Sequence, residues 1–364
     1  MDFGLSEEQR LLQDTFQSFL AEQVPISRVR ELLDSGAEET DGPWPALADL
    51  GAAGVLIPEE LGGSGLALLD AALIAEELGR ALTPTPFLGS AVMSPVAFLE
   101  AGTPEQKREW LPKLATGRTR MGVAATETYS RLEGAQVRLE DGRLWGKALM
   151  AIDLAGAETA LVAAGNSDLL LVAADAPGLT TQSLSSVDRT RSLAELVFEG
   201  VEPISTLGGP GGGGRAIERM LDAGRVALTG EIIGACQSML QQAVAYAGQR
   251  EQFGRVIGSF QAVKHMCAEM AAELEPTRSL FWYAAHGFDA LPDSTSLVIA
   301  HAKAHAGEIG AFIARTSTEV HGGIGFTDEQ NLHLWLKRIG VDRQLLGGPD
   351  VLRERAALLQ GWAK

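Results

Sequence analysis

The sequence predicts an α+β protein with its strands in the middle of the chain and helices on either side, and three observations carry that reading. From Ser6 to about Leu114 the apolar residues recur at helical spacing; after Gly122 they fall into short alternating runs divided by Gly, Asn, Asp, Pro and Ser. Beyond a glycine-rich stretch at 208–214, long helical periodicity returns. The expected segmentation is a helical domain over 1–120, a β domain over 121–207, a linker over 208–214 and a second helical domain over 215–364.

Each element has a local cause. Ser6 with Gln9 forms a capping box, opening a helix that carries Leu11, Leu12, Phe16 and Leu20 on one side. A further helix runs over 68–78, with Gly79 as its expected stop. Residues 137–140 and 143–145 alternate around Asp141-Gly142, a pair suited to the positive dihedrals of a two-residue hairpin turn. Apolar runs at 160–164, 169–173 and 193–198 read as further strands. The stretch 208–214 lacks the Lys and Ser/Thr that complete a phosphate-cradling loop, so it reads as a linker. Helical periodicity then covers 216–249, 261–287, 296–321 and 332–346.

Composition narrows the function classes. Acidic residues number 47 against 30 basic, a formal charge of -17, which argues against a nucleic-acid binder or a polybasic membrane anchor. The 46% hydrophobic content is ample for a packed core. Two cysteines, Cys236 and Cys267, exclude a disulfide framework and a thiolate zinc cluster, and each lies in an apolar helical pattern. The acidic N-terminus shows no secretory signal and no run reaches the roughly 20 apolar residues of a membrane span, so a soluble, cytoplasmic protein is expected. His301, His305 and Glu308 share a helix face without further acidic ligands, and no metal site is expected there. The glycine spacing at 209–214 reads as part of the linker and not as the fingerprint that closes a strand directly onto a helix, so a Rossmann dinucleotide site is not expected.

Six segments, in this order, resemble the acyl-CoA dehydrogenase family over essentially the whole chain. They are Leu5-Ser6-Glu7-Glu8-Gln9; Ile57-Pro58-Glu59-Glu60-Leu61-Gly62-Gly63; Gly102-Thr103-Pro104-Glu105-Gln106-Lys107 with Leu111-Pro112; Thr126-Glu127; Arg250-Glu251-Gln252-Phe253-Gly254 with Phe260-Gln261; and His321-Gly322-Gly323-Ile324-Gly325-Phe326-Thr327. The resemblance implies a middle β-barrel or sandwich, a C-terminal four-helix bundle, FAD as cofactor, an acyl-CoA substrate and an electron-transfer flavoprotein as acceptor. In such enzymes a glutamate takes the α-proton of the thioester, whose carbonyl is polarised by hydrogen bonds, while the β-hydrogen leaves as hydride. The ending, 334–338 with 345–350, is similar to the short acyl-CoA dehydrogenases of actinobacterial steroid and lipid catabolism.

Against that pattern the chain breaks at the base. The two positions where the family carries its glutamate correspond to Gly347 and Gly224. The nearest alternative is Glu231, flanked by Thr229-Gly230 and Ile232-Ile233; it reads either as a base facing a substrate cavity or as a carboxylate bonded at a domain or subunit contact. Thr126 matches the family threonine at the flavin ring, but Arg131-Leu132 replace the usual Gly-Ser at the pyrophosphate, Met150 and Ile152 replace the ring-flanking Trp and Thr, and Pro349 replaces a threonine near the flavin. Each change removes a donor or a stacking surface.

The segments that family members extend to a neighbouring subunit's FAD are recognisable. Arg250 corresponds to a pyrophosphate contact, Phe253 to an adenine-side contact, Gln261 to a polar contact and Gly322-Gly323 to a close backbone approach, while Glu319 replaces a glutamine. An arginine supplies a forked donor set for phosphate and glycines let main-chain N–H groups approach it. The resemblance therefore implies a base-deficient subunit of an α2β2 heterotetramer, completed by a homologous subunit. The alternatives are a self-sufficient homotetramer using Glu231 and a flavin-free acyl-CoA-binding scaffold.

Overall fold

The computed structural model describes residues 4–35, 42–130, 132–291 and 294–363. Helices come first: α1 (Glu7–Gln23), α2 (Ile26–Ser35), α3 (Trp44–Asp49), α4 (Leu68–Arg80), α5 (Ser94–Ala101) and α6 (Pro104–Ala115). The capping box at Ser6 and Gln9 is present, and a second one, Thr103 with Gln106, opens α6. Between α4 and α5 a wholly buried π-type turn covers Phe87–Met93, a feature with no hydrophobic period of its own in the sequence.

The middle of the chain supplies β1 (Met121–Ala124), β2 (Gln136–Glu140), β3 (Arg143–Ile152), β4 (Thr159–Ala164), β5 (Asp168–Ala173), β6 (Leu179–Ser183), β7 (Leu193–Val201) and β8 (Ser205–Leu207). They hydrogen-bond in the order β6-β7-β3-β1-β4-β5-β8, with β2 paired to β3. β1 and β4 run parallel while the other pairings are antiparallel, so the sheet is mixed. The β2–β3 hairpin turns at Asp141 (φ 49°) and Gly142 (φ 75°), as the Asp-Gly pair predicts. A bulge between Ala148 and Ala151 breaks the β3–β7 register where Met150 adopts φ 54°. Val137, Leu144, Val162, Leu170, Leu196 and Phe198 form the sheet's core.

The C-terminal helices are α7 (Gly214–Gln249), α8 (Gln261–Ala290), α9 (Thr295–His321), α10 (Leu332–Gln344) and α11 (Pro349–Leu359), with a two-stranded ribbon, β9 (Glu251–Gln252) and β10 (Arg255–Val256), between α7 and α8. Among the described residues no helix is long and apolar enough to cross a membrane.

Compact units do not follow chain order. One gathers Met1–Val29, Ala72–Thr83 and Leu228–Lys364; the other gathers Arg30–Ala71 and Pro84–Ala227. In the first unit α4 lies against α7, and the reason is three glycines. A Cβ on Gly79 would sit 2.2 Å from the Glu231 carbonyl oxygen, on Gly230 2.7 Å from that of Ala72, and on Gly234 1.8 Å from that of Glu76. Only residues without a Cβ allow backbones this close.

Gly79 is therefore not the helix stop expected from its residue type. The helix continues through Arg80 and ends where the Thr83 N–H bonds the Leu78 carbonyl and the Leu82 N–H bonds that of Gly79, with Leu82 itself at φ 55°. This is a Schellman ending with a leucine at the left-handed position, and Leu82 is fully buried, so packing holds it there.

Gly79→Ala or Gly234→Ala is expected to destabilise the protein by about 3 kcal/mol or more, as overpacking against a rigid backbone. Gly248→Ala, whose Cβ meets nothing within 4 Å, is expected to stabilise it by up to about 1 kcal/mol. Urea denaturation of the three variants checks the contrast, and equal effects would contradict the crossing.

Candidate functional site

Neither of the two base positions offers a carboxylate. Gly224 is buried inside α7 and supplies no side chain. Gly347 is buried at φ 108°, and a Cβ there would approach Leu352 at 3.2 Å. A residue with a side chain is strained in that conformation, so a glutamate at 347 would require a different path for the turn before α11.

Glu231 is 2% exposed, and its Oε2 accepts from Arg338 Nη1 at 2.6 Å; the Arg338 side chain is equally buried. The guanidinium occupies lone pairs that a base would present to a substrate proton. Arg338 sits on α10, so the pair fastens α10 to α7 beside the α4 crossing. Around it lie more buried charges: Arg80 Nε donates to Glu77 Oε2 at 2.8 Å, and Arg278 bonds Glu76 and, through Nη2, Gln237 Oε1 at 2.8 Å.

In the strand-bearing unit, Thr126 opens a short 3-10 turn, Thr126–Thr128. Thr126 is fully buried and its hydroxyl donates to the Leu149 carbonyl. Glu127 Oε1 accepts the Val137 N–H at 3.0 Å and the Gly165 N–H at 3.4 Å. Burial raises the Glu127 carboxyl against those two bonds. The carboxylate lines a cleft of about 660 Å³ together with Arg138, Lys147 and Asp168. Sequence reasoning passed over Tyr129: it is buried, and burial pushes its phenol well above its ordinary range, opposed by Thr126 and by the Arg225 charge. Arg225 is itself paired to Asp222 at 2.7 Å. The only signal was a large aromatic three residues past Thr126. Of Arg131 and Leu132, Arg131 lies outside the described residues.

The remaining candidates all belong to the other unit and are exposed: Arg250, Phe253, Gln261, Glu319, Gly322 and Gly323. Arg250 ends α7, and the ribbon behind it turns at Phe253 (φ 54°) and Gly254 (φ 75°). Phe253 is 92% exposed and meets Phe260 edge-on at 6.1 Å, while Arg255 lies over the Phe260 ring at 4.0 Å. Gln261 begins α8. Tyr246, one helical turn before Arg250, stacks on His321 with centroids 4.7 Å apart, and the Ser317 hydroxyl donates to the Met239 carbonyl at 2.9 Å. These contacts bring the ends of α7 and α9, hence Arg250 and Gly322-Gly323, to the same end of the bundle. Glu319 borders a groove of about 420 Å³ with Arg315, Phe326 and Arg343.

Residues 6–118 match the acyl-CoA dehydrogenase N-terminal domain and residues 211–358 the acyl-CoA dehydrogenase C-terminal domain. The chain belongs to the acyl-CoA dehydrogenase family. Acyl-CoA dehydrogenase IpdE2 of Mycobacterium tuberculosis is 33% identical over 355 residues, covering 95% of this chain and 96% of that protein. A structure of a variant of the Tcur3481-Tcur3483 steroid ACAD superposes with a TM-score of 0.87 at 30% identity, covering 98% of each chain. A glutaryl-coenzyme A dehydrogenase in complex with glutaryl-CoA superposes with a TM-score of 0.91 at 24% identity, over 100% of this chain and 98% of that one, and shares the fold.

FAD is the family's cofactor, and the two halves of its contact set fare differently in this acyl-CoA dehydrogenase. On the ring side the residues do not fit it: the Thr126 hydroxyl already serves Leu149, and Met150 offers a thioether from a strained bulge. On the ADP side Arg250 and the Gly322-Gly323 turn are exposed, with the Gly322 N–H donating to the Glu319 carbonyl.

His321 supports that end and gives it a pH dependence. Nδ1 contacts the Ser317 carbonyl at 2.7 Å, and Nε2 is buried without a hydrogen-bond partner. Burial lowers the imidazole below its ordinary 6.5, opposed by the Ser317 bond. Above 6.5 both folded and unfolded chains hold a neutral ring, so stability is full; as pH falls through 6.5 the unfolded chain gains a proton that the folded one resists, and stability declines. In His321→Phe, which keeps the Tyr246 stack, the fall in unfolding free energy on acidification from about pH 7.5 to about 5.5 is expected to be shallower, by at most about 1.4 kcal/mol per pH unit. Urea titrations across that range check it; an unchanged acid slope would contradict the assignment.

Proposed function

We propose that this chain is the base-deficient subunit of a heteromeric, FAD-dependent acyl-CoA dehydrogenase, paired as α2β2 with a homologous subunit that supplies the ring pocket and the catalytic carboxylate. The observation that carries this reading is the Glu231–Arg338 pair, buried at 2.6 Å, in a chain whose two family base positions are glycines. Flavin, when bound, supplies the hydride acceptor for oxidation of the Cα–Cβ bond of the thioester. This chain's part is to hold: the Arg250 guanidinium is a donor for phosphate oxygens, the exposed Gly322-Gly323 turn lets a phosphate approach the main chain, and Phe253 is an exposed apolar face for the adenine side.

One relative supports the substrate class and the pairing. The solved neighbour is named by two chains, Tcur3481-Tcur3483, and as a steroid ACAD, so we propose a bulky, steroid-derived acyl-CoA as substrate. An electron-transfer flavoprotein is the proposed acceptor, and the cytoplasm the proposed compartment.

Co-expression with the homologous subunit is expected to yield a complex with one flavin per pair of unlike chains. Arg250→Met in this chain is expected to weaken flavin retention by that complex about tenfold or more, the loss of a charge-assisted hydrogen bond. Absorbance of the released cofactor measures both. A full flavin complement with turnover in the chain expressed alone would sink the reading, and thioester binding without flavin even in the presence of the second subunit would favour a scaffold instead.

Glu231→Gln distinguishes structure from catalysis. The account expects turnover per flavin in the complex within about threefold of wild type, with a stability loss of about 3 kcal/mol from the broken buried pair. A loss of turnover of about a thousandfold in a folded, flavin-loaded complex would instead make Glu231 the base.

A further inference from the structure

Between α9 and α10 runs a groove of about 420 Å³, within the range of small-molecule pockets. The two helices are antiparallel there, because Gly307 of α9 faces Arg343 of α10 and Gly310 faces Ile339. Buried Ala314 and Ile339 give the groove an apolar wall, and Phe326 (77% exposed) and Leu336 (40%) line it with large apolar side chains that the chain itself does not cover.

Gly340, which also lines the groove, is the informative residue. It lies inside α10, where glycine is among the least favourable helix residues, yet a Cβ on it would meet nothing within 4 Å. The two glycines of α9 on this contact differ: a Cβ on Gly307 would lie 3.0 Å from the Arg343 side chain, and one on Gly310 2.8 Å from that of Ile232. Packing within the chain accounts for those two. It does not account for Gly340, which keeps open a space that the fold leaves unfilled.

The charges narrow what fills that space. Arg315 is exposed and has no ion pair among the described residues. Arg343 Nε is buried without a hydrogen-bond partner, and its guanidinium meets Glu308 at 3.5 Å, a carboxylate that Arg353 approaches at 3.3 Å. Two forked donor sets beside an apolar wall suit an anion with an apolar body. Glu319 lines the same groove, so the local excess of positive charge is small, and it matches a single negative charge better than a string of phosphates. Between Ala311 and Thr318, both lining residues, the groove follows α9 for about 10 Å at about 1.5 Å per residue.

We propose that this groove is a binding site for an amphipathic carboxylic acid, its carboxylate against Arg315 and Arg343 and its apolar body over Ala314, Ile339 and Gly340. The free acid of an acyl thioester has this form, so the site takes the free counterpart of the class of substrate on which the family acts. All its residues belong to one compact unit, and it does not rest on the subunit role argued above.

The test is equilibrium dialysis of decanoate, cholate and 1-decanol, each below its micellar range, against the full-length chain in the assembly in which it purifies. Saturable binding at about one acid per chain is expected, the tighter of decanoate and cholate naming a linear or a fused-ring body. Gly340→Leu fills the groove from a position with room for the side chain, and is expected to weaken acid binding about tenfold or more with no loss of stability to urea. The double variant Arg315→Met, Arg343→Met is expected to weaken decanoate about tenfold or more while 1-decanol, which lacks the charge, stays within about twofold. If the double variant does not fold, Arg315→Met, a change at an exposed side chain, carries the same comparison. No saturable binding of either acid, acid binding indifferent to Gly340→Leu, or equal losses for acid and alcohol overturns the site. Acid binding that disappears when the homologous subunit is added makes the groove a contact between chains and overturns it as well.

Discussion

The close crossing of α4 over α7 is the constraint on which the helical unit depends. Gly79, Gly230 and Gly234 bring the two backbones together, and with no Cβ between them nothing insulates the neighbouring polar groups. Glu76, Glu77 and Glu231 are all buried at or beside this contact, so each needs a cation that the fold must deliver: Arg278, Arg80 and Arg338. Removing one partner of such a pair strands a charge in a poorly polarisable interior, a far larger penalty than the pair's net contribution. Glu231 is therefore bound into the architecture by the same crossing that buries it.

The proposed subunit role divides between two chains what a self-sufficient acyl-CoA dehydrogenase combines in one. The groups suited to phosphate and adenine stand exposed at one end of the helical bundle, held by the Tyr246–His321 stack and the Ser317–Met239 bond. The groups expected around a flavin ring are covered: Thr126 is fully buried, and the Gly347 turn has no room for an unstrained side chain. Exposure on one side and closure on the other are what a subunit needs if it lends contacts to a partner's cofactor while holding none.

Much of the fold was legible because its signals are local. The Ser6 capping box, the Asp141-Gly142 hairpin and the long helical periods of the C-terminal region each depend on residues within a few positions of one another. The sheet's shorter members were not legible: β1 and β8 are set by pairing to strands far along the chain, and β6, though it pairs with the next strand, β7, is mostly exposed and polar. Gly79 illustrates a second limit. A glycine near a helix end signals either a left-handed cap or a close approach, and only the partner helix, far along the chain, tells which. The site shows the same division. Arg250 and Gly322-Gly323 stand out from short motifs, whereas the fate of Glu231 depends on Arg338, separated from it by 107 positions, and that of the Thr126 hydroxyl on the Leu149 carbonyl, 23 positions away.

The buried ion pair commits Glu231 to Arg338. A double-mutant cycle on Glu231→Gln and Arg338→Met, followed by urea unfolding, measures that commitment. The two side chains are expected to be coupled by about 2 kcal/mol or more, and additive effects, with coupling below about 0.5 kcal/mol, would contradict the pairing.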